Sequence, residues 1–580
     1  MPHPRFHGWI VAAVAALVLL PRLGSTPLWD DDEPKNAACS VAMLDADDWV
    51  VPTFDGRLRI EKPPLVNWLH IAGIAVCGRT ETGVRLGSAL LTIGTCLLTW
   101  QLGRILVNPA VGLLGGLAMA TCIWTSVGGR ASTPDAPLLF FTTLAFVLFA
   151  RATTSPAMPG QRARLSLPAA IGIGASCGAA VLAKGPIGFV IPAAACTIYA
   201  AVREWSTERP SFRGVVAGLR PLAVTATMLA VALPWYAWVT IRTEGEWLRG
   251  FFFVHNVGRF AAPMEGHSGS LAYYPLVVGI GLFPWSLVLV AMLVNIVATL
   301  RTPQHPQRVP MQLLASWAGA WIGILSLAGT KLPGYVWPAY PALAVATACF
   351  LDAWQRGDIH WLAWSRHRER WSAAIMHAGW GVLAATGVAL AIGLPLVAGR
   401  WAAGSEWIGI VGVVPLLAAA AGWRATVAQR PWQALQSIAT GGGLLALALA
   451  AIVAPTIGRA ATPWAFLAAG NTSPLADSLS TGAVASFRRT PPSIVFYAGG
   501  PLPTLATPGD VARHLASHPD ARLIVTSRLI DELSEVIPAS HGVVAETHTV
   551  SARHLLLIGP LPLPRLAAHD APATQFPKLR

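Results

Sequence analysis

The residues best placed to do chemistry sit in one loop. Leu28–Leu69 reads LWDDDEPKNAACSVAMLDADDWVVPTFDGRLRIEKPPLVNWL and holds nine of the chain's 28 carboxylates. Asp30, Asp31, Asp32 and Glu33 form one run, and long apolar segments flank the loop. A carboxylate is costly beside hydrocarbon, so such a cluster at a membrane face points to function. Acids at the start of the amphipathic helix expected over Pro34–Leu44 would cap it and complement its dipole. That accounts for one or two acids, not four in a row. Asp32 and Glu33 are therefore candidate catalytic groups, able to take a proton or orient an acceptor. Asp45 to Asp48 read as a solvated turn.

Further along, Glu61-Lys62-Pro63-Pro64 precedes an apolar run, Leu65–Val76. The prolines fix the chain where a second interfacial helix would start. Lys62 then stands at the surface, either snorkelling to lipid heads or acting as a point charge on a phosphate.

Three later segments carry more polarity than a connection needs. GGRASTPDAP (128–137) contains Asp135, either the N-cap of the next span or a second functional acid. The stretch 242–269 contains FFFVHNVGRF, with His255, Asn256 and Arg259, then Glu265 and His267. It reads as an aromatic-rich helix lying in the interface. His255 or Asn256 beside Glu61 would offer nitrogen and oxygen donors to a divalent metal ion. GTKLPGYVWPAYP (329–341) brings Lys331 and Tyr335. Each alone is an ordinary interfacial anchor. With Lys62 and Arg259 they make three cations and a hydroxyl, a set that would hold a phosphate or pyrophosphate.

The elements that must position these residues are membrane spans. The chain has 580 residues, 54% hydrophobic and 12% charged, about half the charge content usual in soluble domains. Its 24 tryptophans suit membrane interfaces. About thirteen spans are expected, beginning with His7–Leu20 and ending near Ile438–Ala454, each approaching the ~20 residues a bilayer requires. The first follows Arg5 and reads as an uncleaved span. Arg104, Arg151, Arg203, Arg301, Arg308, Arg366, Arg424 and Arg430 fall in alternate loops. The positive-inside rule then places the N-terminus in the cytoplasm, and the acidic loop and C-terminal tail outside. The net charge of +13 therefore reads as topology and attraction to membrane lipids rather than nucleic-acid binding. None of the seven cysteines lies in the tail, and no C-x-x-C pattern occurs, so neither a disulfide scaffold nor a zinc site is expected. Cys39 and Cys77 fall on one side, and a bridge between them is conceivable but not expected.

After about residue 460 the character changes. Ser493–Ala498, Ala521–Thr526 and His554–Gly559 read as buried strands, and Pro508–Ser517 as a helix opened by Pro and Asp. The expected division is a membrane domain, 1–460, and an outer α/β domain, 461–580. No phosphate-binding glycine pattern and no internal repeat are visible, so no nucleotide cofactor is expected.

In order and spacing the sequence resembles the polyprenol-phosphate-sugar-dependent glycosyltransferases of the GT-C fold. Within that group it is similar to the bacterial branch of the lipid A aminoarabinose transferase and relatives of the protein O-mannosyltransferases. The residues that carry this are Leu28-Trp29 with Asp32-Glu33 and Lys35, Asp48 to Pro52, Glu61 to Pro64, Thr133 to Ala136, Lys184-Gly185-Pro186, Phe251–Phe260, Phe283 to Ser286, and Lys331 through Pro341. The resemblance runs from the N-terminus to about residue 345. It implies an enzyme working at the outer face of the plasma (inner) membrane, with a sugar on a polyprenyl phosphate as donor and a glycolipid or protein as acceptor. It implies Asp32 as the catalytic acid, Asp135 as a second, Lys62, Arg259 and Tyr335 on the carrier phosphate, and Glu61 at a metal position. Lys35 stands where the aminoarabinose enzymes usually carry Arg, Asn36 where they carry Tyr, and His255-Asn256 where they carry Glu-His. The resemblance therefore speaks to the reaction class, not to aminoarabinose.

Two other readings compete. A transporter or flippase of a lipid-linked or small solute would place charges mid-span or use broken helices in repeated halves. A non-catalytic scaffold presenting the tail would leave the acidic loop without a purpose.

Overall fold

The computed structural model describes residues 2–29, 31–154, 163–263, 268–363, 365–460, 483–518, 520–548 and 554–561. Asp30, Glu265 and His267 lie outside them. Among the described residues ten helices are long and apolar enough to cross a membrane, eleven if the pair Tyr273–Gly281 and Trp285–Arg301, bent by 119°, is one span. The other two expected spans are the shorter apolar helices Pro4–Leu19 and Pro109–Thr121. The latter is buried from Val111 to Thr121, a helix inside the bundle rather than on its lipid face. Small residues let it in: a Cβ on Gly103 would lie 2.9 Å from the Cα of Gly112, the close backbone approach that small residues permit between membrane helices. Helix starts follow the local rules. Thr80, Asn108 and Ser166 accept hydrogen bonds from backbone amides three residues on.

The opening loop is itself folded. Helix Asp32–Asp45 is followed by a turn in which Asp47 takes φ +49°, and Asp48 accepts from the amides of Val50 and Val51. A two-stranded hairpin, β1 (Thr53–Phe54) and β2 (Arg57–Leu58), leads through Pro63-Pro64 to helix Leu65–Cys77. All seven cysteines are free, Cys39 and Cys77 included.

The C-terminal part contains a mixed sheet of β3 (Val484–Phe487), β4 (Thr504–Leu505), β5 (Arg522–Thr526), β6 (His541–His548) and β7 (His554–Pro560). The order is β4-β3-β5-β7-β6, parallel at β3 and antiparallel around β7. In β5, Leu523 and Val525 face one core with Val511 and Leu515, while Ile524 faces another with Leu555 and Leu557. This two-residue alternation is what a strand covered on both faces produces. Helix Pro508–Ser517 forms where the Pro and Asp placed it, closed by a capping box between Thr507 and Asp510. Ser493–Ala498, expected as a strand, is instead helix Pro492–Tyr497. Pro492 opens it at the first helical position. Its apolar run is split between two cores: Ile494 joins the sheet, while Val495 and Phe496 pack with Leu28, Ala37 and Val41 of the opening loop and Ile74 of the helix after it. A short segment covered on all sides has the same apolar pattern as a buried strand.

Candidate active site

The adjacent acids Asp32 and Glu33 have opposite surroundings. Glu33 is buried. Arg85 Nε donates to its Oε1 at 3.0 Å and Nη2 to its Oε2 at 2.7 Å. The amides of Trp29 and Ser132 donate to the same two oxygens at 3.0 and 2.7 Å. The remaining Arg85 donors reach the carbonyls of Leu23, Thr26 and Pro27. Burial pushes the Glu33 carboxyl up, but the Arg85 charge and the four hydrogen bonds outweigh it and hold it below its ordinary value. Glu33, expected as a catalytic group, is thus the clamp that ties the opening helix to Arg85 and to the loop before Asp135. It has no free oxygen for a substrate. Asp32 is exposed and makes no hydrogen bond or ion pair among the described residues, yet its charge reaches Lys62.

Beneath the helix, the buried Arg59 donates to Glu61 at 2.9 Å and to Asn36 at 2.6 Å. Asn36 in turn donates to the carbonyl of Ser132 at 2.9 Å. Lys35 pairs with the other oxygen of Glu61. Burial opposes ionisation of Glu61, but Arg59 and Lys35 bring its carboxyl down to about 2. The expected metal set of Glu61, His255 and Asn256 does not fit this geometry. Both Glu61 oxygens already face cations, Lys35 and Arg59. Among the described residues no three His, Cys, Asp or Glu gather as ligands. Glu61, held by Arg59 and Lys35, anchors the segment that leads into Lys62.

Lys62, Lys184, Arg259 and Tyr335 converge on one cavity of about 250 Å³, with Glu61, His255 and Asn256 on its wall. Two backbone bonds help align its far side: Gly329 and Thr330 donate to the carbonyls of Phe260 and Arg259 at 2.8 and 3.1 Å. Arg259 then donates to the Tyr335 hydroxyl at 3.2 Å. Trp247 stacks on Phe251 at 4.7 Å and donates to the carbonyl of Arg59 at 2.9 Å, which locks the aromatic segment to the opening loop. Gly185 takes φ +80° directly under the Phe251 ring, where a Cβ would come within 2.5 Å. Only glycine fits that turn. Burial, and then the charge of Lys184, bring the Lys62 ammonium down to about 8; Arg259 adds to this, while Asp32 and Asp135 resist it.

Asp135 is the first residue of helix Asp135–Thr153 and makes no capping bond. Its carboxylate pairs with Lys184, whose ammonium lies 4.4 Å from the centre of the Tyr335 ring. Lys331 does not line the cavity. It donates to the carbonyls of Ser326 and Ala328, both at 2.8 Å, at the end of helix Arg308–Leu327. A cation there satisfies carbonyls that a helix end leaves open.

Sequence reasoning gave no role to Lys184, Arg59 or Arg85. Arg85 and Lys184 carried a signal. Arg85 sits inside a span, where an ionisable group needs a partner. Lys184 closes an apolar helix just before Gly-Pro, and there it reads as a snorkelling end.

The rest of the cavity is apolar. Ile187, Val190 and Ile191 face Ile324 and Leu325 across it, a lane between two membrane helices ending at the cations. Residues 61–238 match the family profile described as dolichyl-phosphate-mannose-protein mannosyltransferase. In structure the chain is similar to ArnT from Cupriavidus metallidurans, in the apo state (TM-score 0.70, 21% identity, 95% of this chain and 98% of that one) and bound to undecaprenyl phosphate (0.69, 20%, 97% and 99%). The chain has the GT-C fold. By sequence, this GT-C chain is 28% identical over 347 residues to the undecaprenyl phosphate-alpha-4-amino-4-deoxy-L-arabinose arabinosyl transferase of Edwardsiella ictaluri, covering 60% of this chain and 59% of that one. It is 31% identical over 341 residues to the protein of the same name from Pseudomonas aeruginosa, covering 58% of each. The alignment thus spans just under three fifths of the length of these relatives. The resemblance to polyprenol-phosphate-sugar-dependent GT-C glycosyltransferases stands on all three comparisons.

Proposed function

We propose that the protein is an inverting glycosyltransferase that moves a sugar from a polyprenyl-phosphate carrier to an extracytoplasmic acceptor, a glycolipid or a protein. The observation that carries this is the cavity's split character. Lys62, Lys184, Arg259 and the Tyr335 hydroxyl gather where an apolar lane between two membrane helices ends. A phosphate on a long hydrocarbon chain fits both halves.

In this reading the carrier phosphate lies among Lys62, Arg259 and Tyr335, with Lys184 held beside them by Asp135. The acceptor oxygen attacks C1 of the sugar from the side of Asp32. A C1–O bond to the acceptor forms as the C1–O bond to phosphate breaks. The electron pair leaves on the phosphate oxygen, where the cations stabilise it. The acceptor proton goes to Asp32 and then to water. If the acceptor is itself an anionic phosphate, Asp32 positions it instead. No step is drawn through a metal. The helical part, 1–460, carries the reaction at the outer face of the inner membrane. The α/β part, 461–580, lies on the same face, and the packing of helix Pro492–Tyr497 on the opening loop supports that placement.

The test is mass spectrometry of lipids and proteins from a strain lacking this chain and from its parent, together with transfer by the purified protein from a polyprenyl-phosphate sugar. A missing glycan and transfer in vitro are expected. Accumulation of solute in vesicles without sugar transfer would overturn the reading in favour of transport.

A further inference from the structure

At the opposite end of the bundle lies a second polar cavity, of about 440 Å³, the size of a small-molecule site. Helix Pro333–Gln355 connects the two: Tyr335 begins it in the candidate active site, and Gln355 ends it in this second cavity, roughly 30 Å away at 1.5 Å per residue. Arg356, Arg368 and Arg430 line it against a single carboxylate, Glu369. Arg356 is engaged with Asp352 at 2.9 Å. The guanidiniums of Arg368 and Arg430 are exposed and make no hydrogen bond or ion pair among the described residues. The side-chain carbonyl of Gln355 is buried without a partner among the described residues, an acceptor that should not stay unmet.

We propose that this cavity binds the headgroup of an anionic glycerophospholipid, its phosphate between Arg368 and Arg430 and a headgroup hydroxyl donating to Gln355. The chemistry favours this occupant for three reasons. A guanidinium fork matches phosphate oxygens. A basic pocket between membrane helices at the lipid surface takes anionic headgroups. The unmet acceptor asks for a hydroxyl, which phosphatidylglycerol has and phosphatidylcholine lacks. The proposal does not depend on the transferase reading, since it concerns different residues at the other end of the bundle.

The full-length protein, stripped of lipid in detergent, is titrated with phosphatidylglycerol and with phosphatidylcholine of the same chains, and bound lipid is counted by native mass spectrometry. Phosphatidylglycerol should bind roughly tenfold more tightly, the preference that two well-placed cations supply. Arg368→Ala/Arg430→Ala should lose that preference, and Gln355→Leu should weaken phosphatidylglycerol alone. Arg104→Ala/Arg301→Ala, which removes two exposed arginines outside the cavity, should keep it. Should the alanine pair at 368 and 430 fail to fold, Arg368→Gln/Arg430→Gln carries the same expectation. Equal binding of the two lipids, or a preference that survives at 368 and 430, would overturn the proposal. So would equal loss in the control pair, which would mean diffuse attraction. Displacement of the lipid by an equal concentration of glycerol 1-phosphate would overturn it as well, in favour of a soluble phosphate ester.

Discussion

Asp32 and Glu33 are neighbours in sequence and belong to two different parts of the molecule. Glu33 looks inward, into a buried network with Arg85, Ser132 and Trp29. Asp32 is exposed, and its charge reaches Lys62 on the cavity wall. A carboxylate with four hydrogen bonds and a paired cation has its proton chemistry spent on structure. Asp32 makes no hydrogen bond or ion pair among the described residues, which is why the proposed reaction gives the acceptor proton to it. The contrast repeats among the basic residues: Arg59, Arg85 and Lys331 are used up by carboxylates and carbonyls away from the cavity, while Lys62 lines it.

The largest test of this contrast is Asp32→Asn, which should lower transfer by about 10²- to 10⁴-fold while thermal unfolding stays as in the parent. Normal turnover by that variant would remove Asp32 from the chemistry. Glu33→Ala should do the reverse. It leaves Arg85 buried and unpaired, a loss of about 3–5 kcal/mol, read as a lower unfolding temperature or absence of folded protein in the membrane. A stable Glu33→Ala protein with dead chemistry would exchange the two roles. Acid sensitivity follows from the same carboxylate. Its pKa is lowered by folding, so its contribution is complete above the ordinary value of about 4.5 and fades as pH falls through the lower folded value. Glu33→Gln should therefore be less stable near neutrality and lose less on acidification.

Lys62→Ala should weaken binding of undecaprenyl phosphate by about 10- to 100-fold, the worth of a hydrogen bond to a charged group. Unchanged affinity would take Lys62 out of the phosphate site. With its ammonium brought down to about 8, the charged, binding form dominates below that pH and is lost above it. Donor affinity should fall between about pH 7 and 9.5, and Lys62→Arg should flatten the profile, because arginine stays charged there. The smallest effect is expected from Tyr335→Phe, about 1.5 kcal/mol in donor binding, the low end for a hydrogen bond to a charged group, since the cations stay in place.

Much of this architecture was legible because hydrocarbon is intolerant of charge. The apolar runs located the spans, and the polar residues between them located the loops. Of the candidate residues, Lys62, Arg259 and Tyr335 line one cavity, Asp135 pairs with Lys184 on its wall, and Asp32 is exposed. Glu33 and Lys331 have the right residue types, but buried partners hold them elsewhere. Ser493–Ala498, which has no period of its own to separate strand from helix, folds as helix Pro492–Tyr497 because Pro492 opens it and two cores cover its sides.

By itself, then, the sequence determined that this chain is a bundle of membrane helices with an acidic loop between the first spans, cations and a tyrosine in later loops, and strands in the part after residue 460. These follow from solvation, which acts on each residue type wherever it stands. Tertiary structure alone decided which of two adjacent acids is exposed, that Lys184 joins Asp135 across 49 residues, and that Arg85 reaches Glu33 across 52. Those pairings depend on distances of a few ångströms between helices, and no local pattern encodes them.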